Sequence, residues 1–296
     1  MFKFSYNTNG LRYINPIKAV KEVAFFGYDG IEIALNKTWM CPENMSKKNI
    51  KILRNFMYDC NVEPVAMATG AKDLLSNVDY EPSLICPDRD KRHERINLLK
   101  QSEKLAQNLG IDKIGFASGF KKEEMSDDEA WTHLVEGIKE CLKKSSDVIL
   151  MIEPEPGMFI ETTDQAIKLI EEISDQRLAL NLDIGHVVCC EDDYLAKIKK
   201  ACRYAKHLHI EDIAGGVHKH LIPGTGDIDF EGVFRVLIEE DYQGFVSVEL
   251  YDHASVYVTA LRESIQYFDI LLLNKFNLTR RRSSLRYEKA GNFGTA

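Results

Sequence analysis

Eight short apolar runs, each rich in β-forming residues, recur along the chain: KFSYNT (3–8), GIEIAL (30–35), VEPVAMA (62–68), KIGFAS (113–118), VILMIE (148–153), LALNLDI (178–184), AKHLHIE (205–211) and FVSVELY (245–251). Turn or cap residues flank each one, as expected of buried strands. Helical patterns lie between them. NPIKAVKEVAFFG opens on an Asn15–Pro16 cap and stops at Gly27, and RDKRHERINLLKQSEKLAQNLG stops at Gly110. SDDEAWTHLVEGIKECLKKS places acids in its first turn and lysines in its last, matching the helix dipole. TTDQAIKLIEEIS, DFEGVFRVLIEEDYQG and SVYVTALRESIQYFDILLL complete the set. Strands separated by helices pair in parallel through right-handed crossovers. Eight such units predict an α/β fold of the (β/α)8 TIM-barrel type, a single domain over residues 1–274. A doubly wound sheet would need a glycine-rich phosphate turn after its first strand, and SYNTNGLRYI lacks it. Residues 275–296, ending NLTRRRSSLRYEKAGNFGTA, read as a basic polar C-terminal extension.

The remaining bulk properties narrow the class. The 296-residue chain is 45% hydrophobic and carries a net charge of -8, which disfavours a nucleic-acid groove. Its seven cysteines are odd in number and form no C-x-x-C, so free thiols and a cytoplasmic setting are expected. MFKFSYNTNG has no apolar core of a signal peptide, and FDILLLNKF is too short to span a bilayer.

In a barrel of this type, chemistry is built at the carboxyl ends of the strands. Four consecutive strands end in ionisable groups there: Glu153 in MIEPEPG, Asp183 in NLDIGH, His207 and His209 in KHLHIED, and Glu249 in VSVELYD. Strand 2 adds Glu32, and strand 1 adds Asn7 and Asn9. Three carboxylates in one mouth repel one another, and a divalent cation removes the conflict. An oxygen-rich set with one imidazole suits Mn, Mg, Co or Fe(II) better than structural zinc. His207 and His209 share a strand face, and His209 lies nearer the mouth, so it is the expected ligand and His207 a packed core histidine. Tyr6, Trp39 and Phe116 could offer aromatic faces to a substrate.

GYDGIEI (27–33), IEPEPG (152–157), LNLDIGH (180–186), KHLHIED (206–212), HLIPGTGDIDF (220–230) and GFVSVEL (244–250) together resemble the xylose isomerase-like TIM-barrel superfamily. Within it the chain is similar to the ketose 3-epimerase, hydroxypyruvate isomerase and inosose-enzyme branch. The resemblance implies one divalent metal ion, manganese first and Mg, Co, Fe or Zn otherwise, held by Glu153, Asp183, His209 and Glu249. It implies that His186, His220 and Glu155 bind a small sugar or keto-sugar, and that the protein forms a homo-oligomer. The arginine that ketose epimerases carry shortly after strand 7 has no counterpart in DIAGGV.

The expected activity is a metal-dependent sugar isomerase or epimerase. Glu153 and Glu249 would act as paired acid and base around an enediolate. Two alternatives stand beside it. A keto-sugar or inosose dehydratase would expel a β-hydroxyl from the same enolate. An endonuclease IV-like abasic-site nuclease would need further histidines after strands 2 and 3, where IEIALNK and AMATGAKD have none.

Overall fold

The computed structural model describes residues 2–143 and 147–280. Eight parallel strands close into a barrel: β1 (Lys3–Asn7), β2 (Gly30–Ala34), β3 (Glu63–Ala68), β4 (Lys113–Ala117), β5 (Ile149–Glu153), β6 (Leu178–Asp183), β7 (Ala205–Ile210) and β10 (Phe245–Val248). β10 closes the ring between β7 and β1. Helices α1 (Pro16–Phe25), α2 (Lys47–Asp59), α3 (Arg89–Leu109), α4 (Asp127–Leu142), α5 (Thr163–Ile173), α6 (Ile184–Cys190), α7 (Tyr194–Ala201), α8 (Phe230–Glu239) and α9 (Tyr257–Phe276) follow the strands. The fold is a single-domain TIM barrel, as the alternation of runs predicts.

The caps form as expected. Asn15 accepts from Lys18 N ahead of Pro16, Ser126 accepts from Glu129 N, and Gly110 ends α3 in the left-handed region. The missed helices are α2, α6 and α7. In α2 the buried residues are Leu53 and Met57, a stripe too thin to stand out in sequence. All seven cysteines are free thiols. No helix among the described residues is long and apolar enough to cross a membrane. Of the expected extension over 275–296, residues 281–296 lie outside the described residues; α9 continues to Phe276, and Arg280 contacts Asp29 and Asp269.

Strand parity sorts the side chains. Leu150, Ile152, Leu180, Leu182, Leu208, Ile210, Val246 and Val248 belong to the main core with the helices. On the alternate face, Met151, Ala179, Phe245 and Val65 form a separate apolar cluster. Glu153, Asp183 and Glu249 continue that alternate face toward the strand ends.

A two-stranded antiparallel hairpin, β8 (Asp212–Ala214) and β9 (Val217–Leu221), rises after β7. Gly215 and Gly216, both at positive φ, make its turn. Asp212 anchors the whole excursion. Its carboxylate accepts from Ile213 N (3.0 Å), Gly224 N (2.8 Å), Gly226 N (2.8 Å) and Ile228 N (3.2 Å). The wrapping is close enough that a Cβ on Gly226 would sit 2.4 Å from Ile213 O and 2.5 Å from Asp212 Oδ1. Asp212→Ala strands four backbone N–H groups, two of them buried, and is expected to lower stability by about 2–3 kcal/mol. Urea unfolding measures the loss, and faster amide exchange confined to residues 212–228 locates it.

Candidate active site and metal centre

The mouth of the barrel gathers the strand-end acids around one imidazole. Asp183 and His209 are register partners on β6 and β7. His209 Nδ1 lies 2.8 Å from Glu153 Oε1, 3.4 Å from Glu249 Oε2 and 3.7 Å from Asp183 Oδ2. One donor atom from each of the four residues falls within 4.8 Å of the others, and all four residues are buried. Asp183 Oδ1 accepts from His186 N at 2.9 Å and caps α6. Its buried Oδ2 has no hydrogen-bond partner among the described residues. A wholly buried, unpartnered carboxylate oxygen facing an imidazole and two more carboxylates fits a divalent cation.

Behind the cluster, Glu32 holds the His209 and His207 imidazoles from below. His209 Nε2 lies 2.9 Å from Glu32 Oε2, which also meets His207 Nε2 at 2.9 Å and Ser247 Oγ at 2.7 Å. With Nε2 turned to a carboxylate, His209 presents Nδ1 to the mouth. Glu249 is fixed from the other side, because Asn7 Nδ2 and Asn9 Nδ2 both donate to its Oε1 at 2.8 Å.

The charges are unevenly placed. Burial, with Glu155 and Glu249 nearby, pushes Glu153 up to about 7 against the pull of His209. Burial, then Glu249 and Asp183, pushes Glu155 up to about 8. Burial opposes ionisation of Asp183 as well, but His186, His220 and His209 outweigh it and hold the carboxyl well below its usual range. Burial opposes ionisation of Glu249 too, and His209 and His220 lower it below the ordinary carboxylate value. Burial works against His209 too, yet Glu249, Glu32 and Glu153 raise it well above the ordinary histidine value.

The other expected residues stand at the rim of this cluster. His186 Nε2 is 3.6 Å from Glu155 Oε2 and 3.7 Å from Asp183 Oδ2, and His220 Nδ1 is 2.9 Å from Glu249 O. His207 is fully buried and paired with Glu32, one layer down. Tyr6 and Phe116 are core residues rather than substrate walls, and Trp39 lies in a shallow depression with Leu11, Arg12 and Met40.

The model of the xylose isomerase-like TIM barrel family matches residues 20–271. The chain belongs to that family. It is 32% identical over 141 residues to an inosose dehydratase of Clostridium perfringens, covering 41% of this chain and 48% of that protein. Across the first such curated relatives the chain spans about half of their length. Among solved structures it is similar to the IolI protein with a bound zinc atom, at TM-score 0.75 and 18% identity, covering 94% of this chain and 100% of that one. It is also similar to D-psicose 3-epimerase from Clostridium cellulolyticum H10, at TM-score 0.74 and 19% identity, covering 91% and 98%.

Within this xylose isomerase-like barrel, sequence reasoning passes over Glu211 and Tyr80 as site residues. Glu211 is fully buried beside Asp183 and His220. The Tyr80 hydroxyl lies beside Glu155 and favours its ionised form against burial. It comes from the β3–α3 loop, far from any motif, and its ring covers Gly70 so closely that a Cβ there would lie 2.1 Å from it.

Glu155 gives a pH test with a definite sign. Its carboxyl titrates near 4.5 in the unfolded chain and about 8 in the fold, so the folded state holds a proton that the unfolded chain releases. Its contribution to stability therefore falls as pH rises through that window. Glutamine does not titrate. The cation-stripped Glu155→Gln protein should gain on cation-stripped wild type in urea midpoint from about pH 5 to about pH 8, then run parallel. A pH-independent difference would contradict a protonated Glu155.

Proposed function

We propose that this chain is a divalent-metal-dependent enzyme that removes a proton next to the carbonyl of a sugar, keto-sugar or keto-cyclitol. The observation that carries the reading is the convergence of Glu153, Asp183, His209 and Glu249 at the strand ends, with Asp183 Oδ2 buried and unpartnered. These four would hold the cation. Manganese is the expected ion, with Mg, Co, Fe or Zn as alternatives. Bound there, it supplies Lewis-acid polarisation of a substrate carbonyl.

The protein side chains supply the rest. Glu153 and Glu249 reach the mouth from opposite flanks of the β6–β7 pair and stand as the acid and base. Asn7 and Asn9 fix Glu249 through Oε1, which leaves Oε2 for the reacting side. His186, His220 and Glu155 line the rim, where substrate hydroxyls would be read. Buried walls exclude water from the transferred proton.

The inosose dehydratase relatives support loss of a β-hydroxyl as the outcome, which makes the enzyme a lyase. The two flanking glutamates support a second outcome, isomerase or epimerase chemistry, in which one carboxylate removes the proton and the other returns it.

Incubation in D2O with manganese and a panel of ketoses, keto acids and inososes tests both. Reversible removal and return of the proton places deuterium at the activated carbon of recovered substrate or epimer, or on the adjacent carbon of an isomer, and a product lighter by one water identifies the lyase. Glu153→Gln and Glu249→Gln should each abolish exchange while circular dichroism stays unchanged. Full exchange by Glu249→Gln would refute the paired-glutamate reading. Glu32→Gln should weaken manganese binding about 10–100-fold by releasing the His209 ring; calorimetric titration reads that loss.

A further inference from the structure

The loop between β3 and α3 brings a tyrosine to the mouth in a backbone conformation that bulky residues rarely adopt. Tyr80 has a positive φ of 61°. Such a conformation persists only where the surroundings impose it, and it collects at binding and catalytic sites. Several contacts impose it here. Tyr80 N donates to Gly70 O at 2.7 Å, and the Tyr80 ring packs on Gly70, where a side chain would have no room. Buried Arg95 clasps both ends of the loop, its Nε donating to Pro82 O at 2.8 Å and its Nη1 to Thr69 O at 3.0 Å. The Glu81 carboxylate accepts from Ser83 N at 3.0 Å and from Phe120 N at 3.1 Å, which ties this loop to the one after β4.

The tie continues to Glu155. Ser118 Oγ accepts from Ile160 N at 2.9 Å, and Ile160 O accepts from Glu155 N at 3.1 Å. Tyr80 and Glu155 are thus held in one frame by the linked loops after β3, β4 and β5. None of the contacts that fix the frame uses the Tyr80 hydroxyl. Burial, then the carboxylates of Glu155, Glu153 and Glu249, push the phenol well above its ordinary range, so it stays protonated beside the acids of the mouth. The side chain is only half-buried, which leaves it open to a bound molecule.

We propose that Tyr80 is a substrate-binding residue that walls the β3 side of the mouth and donates its hydroxyl to a substrate hydroxyl oxygen lying against Glu155. A hydroxyl placed there accepts from the phenol and donates to the carboxyl group, a pairing that a deoxygenated carbon cannot make. Tyr80 therefore selects a substrate hydroxylated at that carbon. The inference rests on the reading of the mouth as a site for a sugar, keto-sugar or keto-cyclitol.

Tyr80→Phe tests it, because phenylalanine keeps the ring and every contact that holds the loop. Manganese-loaded full-length wild type and variant are titrated calorimetrically with inosose, D-psicose and D-tagatose, and then with monodeoxy analogues of whichever probe binds. The variant should keep its manganese content and its unfolding temperature and bind that probe about 5–10-fold more weakly. KM should rise by the same factor with kcat changed less than about threefold, as expected when a binding contact is removed. One monodeoxy analogue should bind both proteins equally, since it lacks the hydroxyl that Tyr80 reads. Equal affinity of wild type and variant for the parent probe would overturn the role of Tyr80 and leave the proposed function standing. Weaker binding of the parent and of every monodeoxy analogue alike, with a lowered unfolding temperature, would make Tyr80 a structural residue and overturn the proposal. A wild type that takes up manganese but binds none of the probes would overturn the keto-sugar reading and the role of Tyr80 together.

Discussion

The interior of this barrel is organised by the contact between His209 and the carboxylates around it. Glu32 grips one ring nitrogen from below, while Glu153, Asp183 and Glu249 crowd the other from above. Positive charge on or beside this imidazole makes the arrangement possible, because buried acids this close repel one another when nothing offsets them. The middle of the barrel is accordingly polar. Glu32, His207, His209 and Ser247 form one bonded network in place of the branched apolar side chains that usually fill such an interior. A network of this kind is tolerated because its members supply one another's partners.

The same economy governs the excursion after β7. Asp212 spends its carboxylate on four backbone N–H groups, and the glycines of PGTG permit the chain to wrap that closely. The excursion carries His218 and His220 on β9 toward His186 and Glu249. A structural carboxylate thus positions chemical groups that lie several residues away. Asp183 has a related double role: one oxygen caps α6 while the other faces the metal cluster.

Much of the site was legible because barrel geometry maps strand ends onto a single mouth. MIEPEPG, NLDIGH, KHLHIED and VSVELYD each place an acid or histidine at such an end, and the fold brings those side chains together. Depth along the strand places His209 among the mouth carboxylates and His207 below it on Glu32. Glu32 was visible on strand 2 but its partners were not, since they lie 175 and 177 residues away. Glu211 was hidden differently. It follows a strand end and resembles a surface acid in sequence; its burial depends on α6 and Gly185 packing above it. Tyr6 and Phe116 failed as substrate walls because their side chains lie within the main apolar core.

The sequence by itself determined the barrel, its caps and the residue types at its mouth, because hydrophobic period and turn chemistry are local properties. It also determined family membership, which holds over residues 20–271. Tertiary structure decided which nitrogen of each histidine faces the mouth, since that depends on the group bonded to the other nitrogen. It also decided that the hairpin histidines meet His186 beside Asp183, because a polar segment such as VHKHL has no apolar pattern to reveal where it folds back.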